Sequence, residues 1–81
     1  MRCEILLFAQ LTEVVGADRL TMEIDEGSTV GDLLEKLCAR HEGIAAIRDQ
    51  VAVAVDERYC APDTPLLPGQ VLALIPPVSG G

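Results

Sequence analysis

Tryptophan is absent, and Phe8 and Tyr59 are the only aromatic residues, so the placement of these two rings matters more than usual. Basic residues are also scarce: six Lys and Arg stand against thirteen Asp and Glu, a formal net charge of −7. Phosphates would be repelled by such a chain, which argues against nucleic acid as a partner. The same balance fits a basic partner surface, or simply a soluble cytosolic protein. Histidine occurs once, at His41, and with no second histidine nearby it reads as a residue at a helix end rather than a ligand or base. Three cysteines, Cys3, Cys38 and Cys60, form no close pair and no Cys-x-x-Cys, so a disulfide framework, a zinc site and thiol redox work are not expected. They read as reduced and mostly buried. No hydrophobic run reaches the length of a membrane span, and Met1-Arg2-Cys3-Glu4 leads straight into a strand-like pattern rather than a signal peptide. The expected location is cytoplasmic. A Ser-His-Asp set, a metal-ligand spacing, a phosphate-binding loop, internal repeats and domain linkers are all missing.

What the chain does have is apolar substance: 49% of its 81 residues are hydrophobic, enough for one small domain with its own core. Arg2 to Phe8 alternates as a strand, with Cys3, Ile5 and Leu7 on one face and Glu4, Leu6 and Phe8 on the other. Its centre is apolar on both faces, which predicts a central position in a sheet. Leu11 to Val15 reads as a short helix ended by Gly16. Leu20, Met22 and Ile24 alternate with Thr21 and Glu23 as a second, half-exposed strand, and antiparallel pairing with the first is expected.

After the break at Asp25-Glu26-Gly27, Ser28 or Thr29 can cap a helix, with Asp32 placed to answer Thr29. Val30, Leu33, Leu34, Leu37 and Cys38 follow helical spacing along one stripe, which is core, and Gly43 marks the expected end. Ile44 to Gln50 reads as a turn of helix and then loop. Val51, Val53 and Val55 form a third strand, Asp56-Glu57 a turn, and Arg58-Tyr59-Cys60 a short fourth strand. A Pro-rich loop and the Pro68-Gly69 turn lead to a final strand, Val71 to Ile75.

Pro76 and Pro77 stop that strand, because proline lacks the N–H a ladder needs. Residues 76–81 span roughly 20 Å if extended. Gly80 and Gly81 leave the terminal carboxylate without neighbouring side chains. Taken alone, such an ending is the composition of a frayed terminus. The order of elements gives it more weight. One good helix over a small mixed sheet, with the first and last strands side by side in the centre, is an α+β, β-grasp (ubiquitin-like) architecture. The expected division is a domain over 1–75 and a flexible tail over 76–81.

Leu7-Phe8-Ala9-Gln10-Leu11, Glu13 and the terminal Pro76-Pro77-Val78-Ser79-Gly80-Gly81 resemble the sulfur-carrier (small) subunit family of molybdopterin synthase, the MoaD-like proteins. The likeness in length and element order covers the whole chain, and the terminal hexapeptide is its most specific part. Thr12 departs from the pattern, since relatives often carry a basic residue there.

The resemblance implies a co-substrate rather than a catalyst, with no cofactor and no metal bound by this chain. A ubiquitin-activating-type adenylating enzyme would use ATP and Mg²⁺ to turn the Gly81 carboxylate into an acyl-adenylate. A sulfur donor, a cysteine desulfurase or rhodanese persulfide, would then leave a thiocarboxylate. The large, catalytic subunit of molybdopterin synthase would receive the tail in a heterotetramer, where the sulfur attacks cyclic pyranopterin monophosphate. A Cβ at Gly80 or Gly81 would crowd the adenylate and the channel. Phe8, Tyr59 and Ile75, with Pro76, Pro77, Val78 and Ser79, correspond to the partner-binding residues; Ile75 reads equally as strand core. Other readings stay open: a carrier for thiamine, tRNA thiolation or cysteine synthesis, a modifier joined to lysines, or a non-covalent β-grasp interaction module.

Overall fold

The structure is a computed structural model and describes residues 1–76. Its elements are β1 (Arg2–Leu7), α1 (Gln10–Val15), β2 (Arg19–Glu23), α2 (Val30–Arg40), α3 (Glu42–Ala45), β3 (Ala52–Val55), β4 (Arg58–Tyr59) and β5 (Val71–Ile75), with a 3₁₀ turn at Arg48–Gln50. The five strands form one sheet in the order β2-β1-β5-β3-β4. The first and last strands, β1 and β5, lie side by side and parallel, pairing Glu4 with Val71 and Leu7 with Leu74. The remaining pairs are antiparallel. No helix of the described residues is long and apolar enough to cross a membrane.

Alternation along the strands sends one set of side chains to the helices. Cys3, Ile5, Leu7, Met22, Val53, Val55, Leu72 and Leu74 are buried there against Leu11, Val30, Leu33, Leu34, Leu37 and Ile44. α2 starts where its capping pattern predicts. The Thr29 hydroxyl accepts from Asp32 N at 3.2 Å, and the Asp32 carboxylate accepts from Thr29 N at 2.9 Å, so two otherwise unpartnered N–H groups are satisfied.

The end of α2 differs from the expectation. The helix stops at His41, whose extended backbone (φ −134°, ψ 99°) breaks the coil. His41 N still donates to Leu37 O, and its carbonyl accepts from Ile44 N, so His41 closes one helix and opens the next. Gly43 lies inside α3 rather than at the end of α2. A Cβ there would sit 2.5 Å from Val14 Cγ1, so this glycine lets α3 approach α1.

Two connections have unusual backbones. Asp56 and Glu57 join β3 to β4 with φ of 49° and 70°, the paired left-handed conformation of a type I′ hairpin turn. Ala9, between β1 and α1, has φ 50° and ψ −128°, and Leu11 N donates to Phe8 O at 3.0 Å. That is the first central position of a type II′ turn, normally a glycine site, and an alanine there costs on the order of 1–3 kcal/mol.

Candidate functional site

Among the described residues, no helix lies on the other side of the sheet. Strand register fixes which residues it presents: Arg2, Glu4 and Leu6 from β1, Arg19, Thr21 and Glu23 from β2, Val71, Ala73 and Ile75 from β5, Ala52 and Ala54 from β3, and Tyr59 from β4. This open face divides in two. The β1–β2 half is charged and internally paired: Arg19 meets Glu4 at 2.7 Å, and Arg2 meets Glu23 at 3.4 Å. The β5–β3–β4 half is apolar.

Two of the residues expected to bind a partner stand out on the open face, Tyr59 on the apolar half and Phe8 just past the end of β1. Phe8 is 47% exposed and Tyr59 73%, large apolar groups left open among the described residues. Ile75 is half-buried and pairs with Ala52, on the row that follows Ala73, Ala54 and Tyr59. Phe8 comes one residue after the Leu7–Leu74 pair, so it emerges at the same end of the sheet as Ile75. Pro76, also half-buried, leaves the sheet from this end. The structure therefore brings Phe8, Tyr59 and Ile75 to one face, with Pro76 following directly from Ile75. Pro77, Val78, Ser79, Gly80 and Gly81 lie outside the described residues.

The sequence did not single out Leu6, Val71, Ala73, Asp56 and Glu57, which with Phe8 line an open depression of about 480 Å³ on this face. The available signal was the second apolar face of β1 and β5, which helices on one side cannot cover.

All three cysteines are free; Cys3 is buried, and Cys38 and Cys60 are half-buried. Burial pushes the Cys3 thiol up, the Met1 ammonium works the other way, and Glu23 adds to the rise. A thiol held in its protonated form is a poor nucleophile, so Cys3 belongs to the core and not to a reactive site.

A mixed five-stranded sheet gripping one long helix, with its parallel pair in the centre and an apolar open face beside the exit of the last strand, is a β-grasp, ubiquitin-like protein. Residues 5–81 match the ThiS family, and the chain belongs to it. It is 32% identical to the molybdopterin synthase sulfur carrier subunit of Chlamydomonas reinhardtii, over all of both chains. It is 35% identical to the human protein of that name, covering 96% of this chain and 92% of the relative. The crystal structure of SAMP1 from Haloferax volcanii superposes with a TM-score of 0.87 at 32% identity, again over all of both chains.

Proposed function

We propose that this chain is a sulfur carrier for molybdenum cofactor biosynthesis, acting in the cytoplasm as the small subunit of molybdopterin synthase. The observation that carries the reading is the apolar group of exposed Phe8 and Tyr59 with half-buried Ile75, on the open face near the end of the sheet from which Pro76 departs. A protein that delivers its terminus into another active site needs its docking surface beside the root of that terminus. The names of the plant, algal and human relatives support the pathway.

In this reading the Gly81 carboxylate attacks the α-phosphate of ATP on a ubiquitin-activating-type enzyme. Pyrophosphate leaves, and the mixed anhydride turns a poor electrophile into a good one. A persulfide from a cysteine desulfurase or rhodanese displaces AMP to give an acyl disulfide, and a second thiol attacks the donor's sulfur, forming a disulfide with the donor cysteine and freeing the thiocarboxylate. The large subunit then takes the tail, with Gly80 and Gly81 leaving room in the channel. The thiocarboxylate sulfur attacks cyclic pyranopterin monophosphate, and hydrolysis returns the carboxylate. Two sulfurs are needed per product, which a heterotetramer with two carriers, or two rounds of loading, supplies. This chain contributes position and the sulfur atom; acid–base chemistry and the pterin pocket belong to the partner.

The Haloferax relative, a small archaeal modifier protein, favours a second reading, in which Gly81 is joined to lysines as an amide. One experiment separates the two. The chain is incubated with an adenylating enzyme, ATP and a sulfur source, and its C-terminal peptide is measured by mass spectrometry. A thiol-reactive replacement of oxygen by sulfur at Gly81, lost when Gly81 is deleted, is the expected result. An unmodified terminus beside an active partner enzyme rejects the carrier reading, and a lysine adduct supports the modifier.

A further inference from the structure

The depression on the open face has a floor, walls and a charged end. Ala73 projects only a methyl on this face, so the sheet is low beside its β1 partner Leu6. Phe8 and Val71 complete the apolar lining, and Asp56 and Glu57 stand at its edge. Their turn is tied to β5: Asp56 N donates to Val71 O at 3.1 Å, and Val71 N approaches Asp56 Oδ1 at 3.5 Å. Elsewhere on this face the carboxylates are matched, Glu4 by Arg19 and Glu23 by Arg2. Among the described residues, Asp56 and Glu57 have no cationic partner.

We infer that this depression receives an arginine side chain from the protein that docks on the open face. The stem of an arginine suits the apolar lining of Ala73, Val71 and Leu6. Its guanidinium is planar and weakly hydrated, with several donors to offer the two carboxylates at the edge, which a compact lysine ammonium does less well. The net charge of −7 favours a basic partner surface in the approach as well. The inference rests on the carrier reading, with the large subunit of molybdopterin synthase as the docking protein.

The test measures binding of the full chain to that large subunit at low and high salt, for the wild type, Glu57→Gln and Ala73→Leu, with thermal melts of each. Glu57→Gln is expected to weaken binding about tenfold at low salt and to flatten the salt dependence, with the melt unchanged. Ala73→Leu fills the depression and is expected to weaken binding further. If it fails to fold, Glu57→Gln decides alone. A Glu57→Gln chain that binds with the wild-type affinity and salt slope overturns the proposal. If Ala73→Leu alone disrupts that binding, the occupant is an apolar side chain. A wild-type chain that does not bind the large subunit overturns this inference together with the carrier reading, which separates the two failures.

Discussion

The same strands of this protein build two unlike surfaces, one residue apart. Along β5, Leu72 and Leu74 are fully buried under the helices, while Val71, Ala73 and Ile75 are only half-covered on the other side. Along β1, Ile5 and Leu7 are buried, and Leu6 and Phe8 point the opposite way. The covered face holds the fold together through close packing. The open face keeps apolar groups that add little to the isolated fold and are available to a partner. A two-residue period thus separates stability from recognition without separating them in sequence.

The largest test of this division is Leu72→Ala. It removes a fully buried side chain from the centre of the sheet and should cost about 3–4 kcal/mol, a large share of the ~5–15 kcal/mol that holds a small domain. Urea unfolding measures it, and a loss below about 1 kcal/mol would mean the covered face is not the core. Phe8→Ala should show the reverse pattern. Binding to the large subunit should fall more than about tenfold, as for an aromatic anchor, while stability changes by less than about 1 kcal/mol. Equal losses in both would erase the distinction between the faces. The smallest effect sits at the joint where β1 hands Phe8 to the open face. Ala9→Gly relieves a positive-φ alanine and should stabilise by about 1 kcal/mol, after allowing for the greater freedom of glycine in the unfolded chain. A destabilised variant would show that the Ala9 methyl packs usefully in this turn.

Local chemistry was the legible part. Thr29 and Asp32 sit three residues apart and can only satisfy each other's backbone, so the start of α2 could be read directly. The central placement of β1 and β5 followed from apolar residues on both faces. Gly43 was misread because glycine after a helix is a local stop signal, whereas its role here is set by Val14, a residue 29 positions earlier in the chain. The depression was hidden for the same reason. Leu6, Asp56 and Val71 meet only once β1, β3 and β5 are aligned, and no spacing within one segment announces that. Phe8 and Tyr59 were accessible to reading because so few aromatics compete for attention. The role proposed for Gly81 rests on the terminal motif and its resemblance, which geometry on the sheet can accompany but not replace.

The parallel pairing of β1 with β5 also sets an order in time. Of the five strands, β1 is made first and β5 last, yet they are neighbours in the middle of the sheet. Until Val71 to Ile75 emerge, the nascent chain holds β1 with a free edge and β3 without its larger neighbour. Long-range closure of this kind is slow compared with helix formation. A chain interrupted before β5 would present unpaired strands to proteases and chaperones. The apolar patch that includes Ile75 would assemble only in chains translated through the final strand, so docking by this face would come with a check that synthesis had reached the segment leading to the tail.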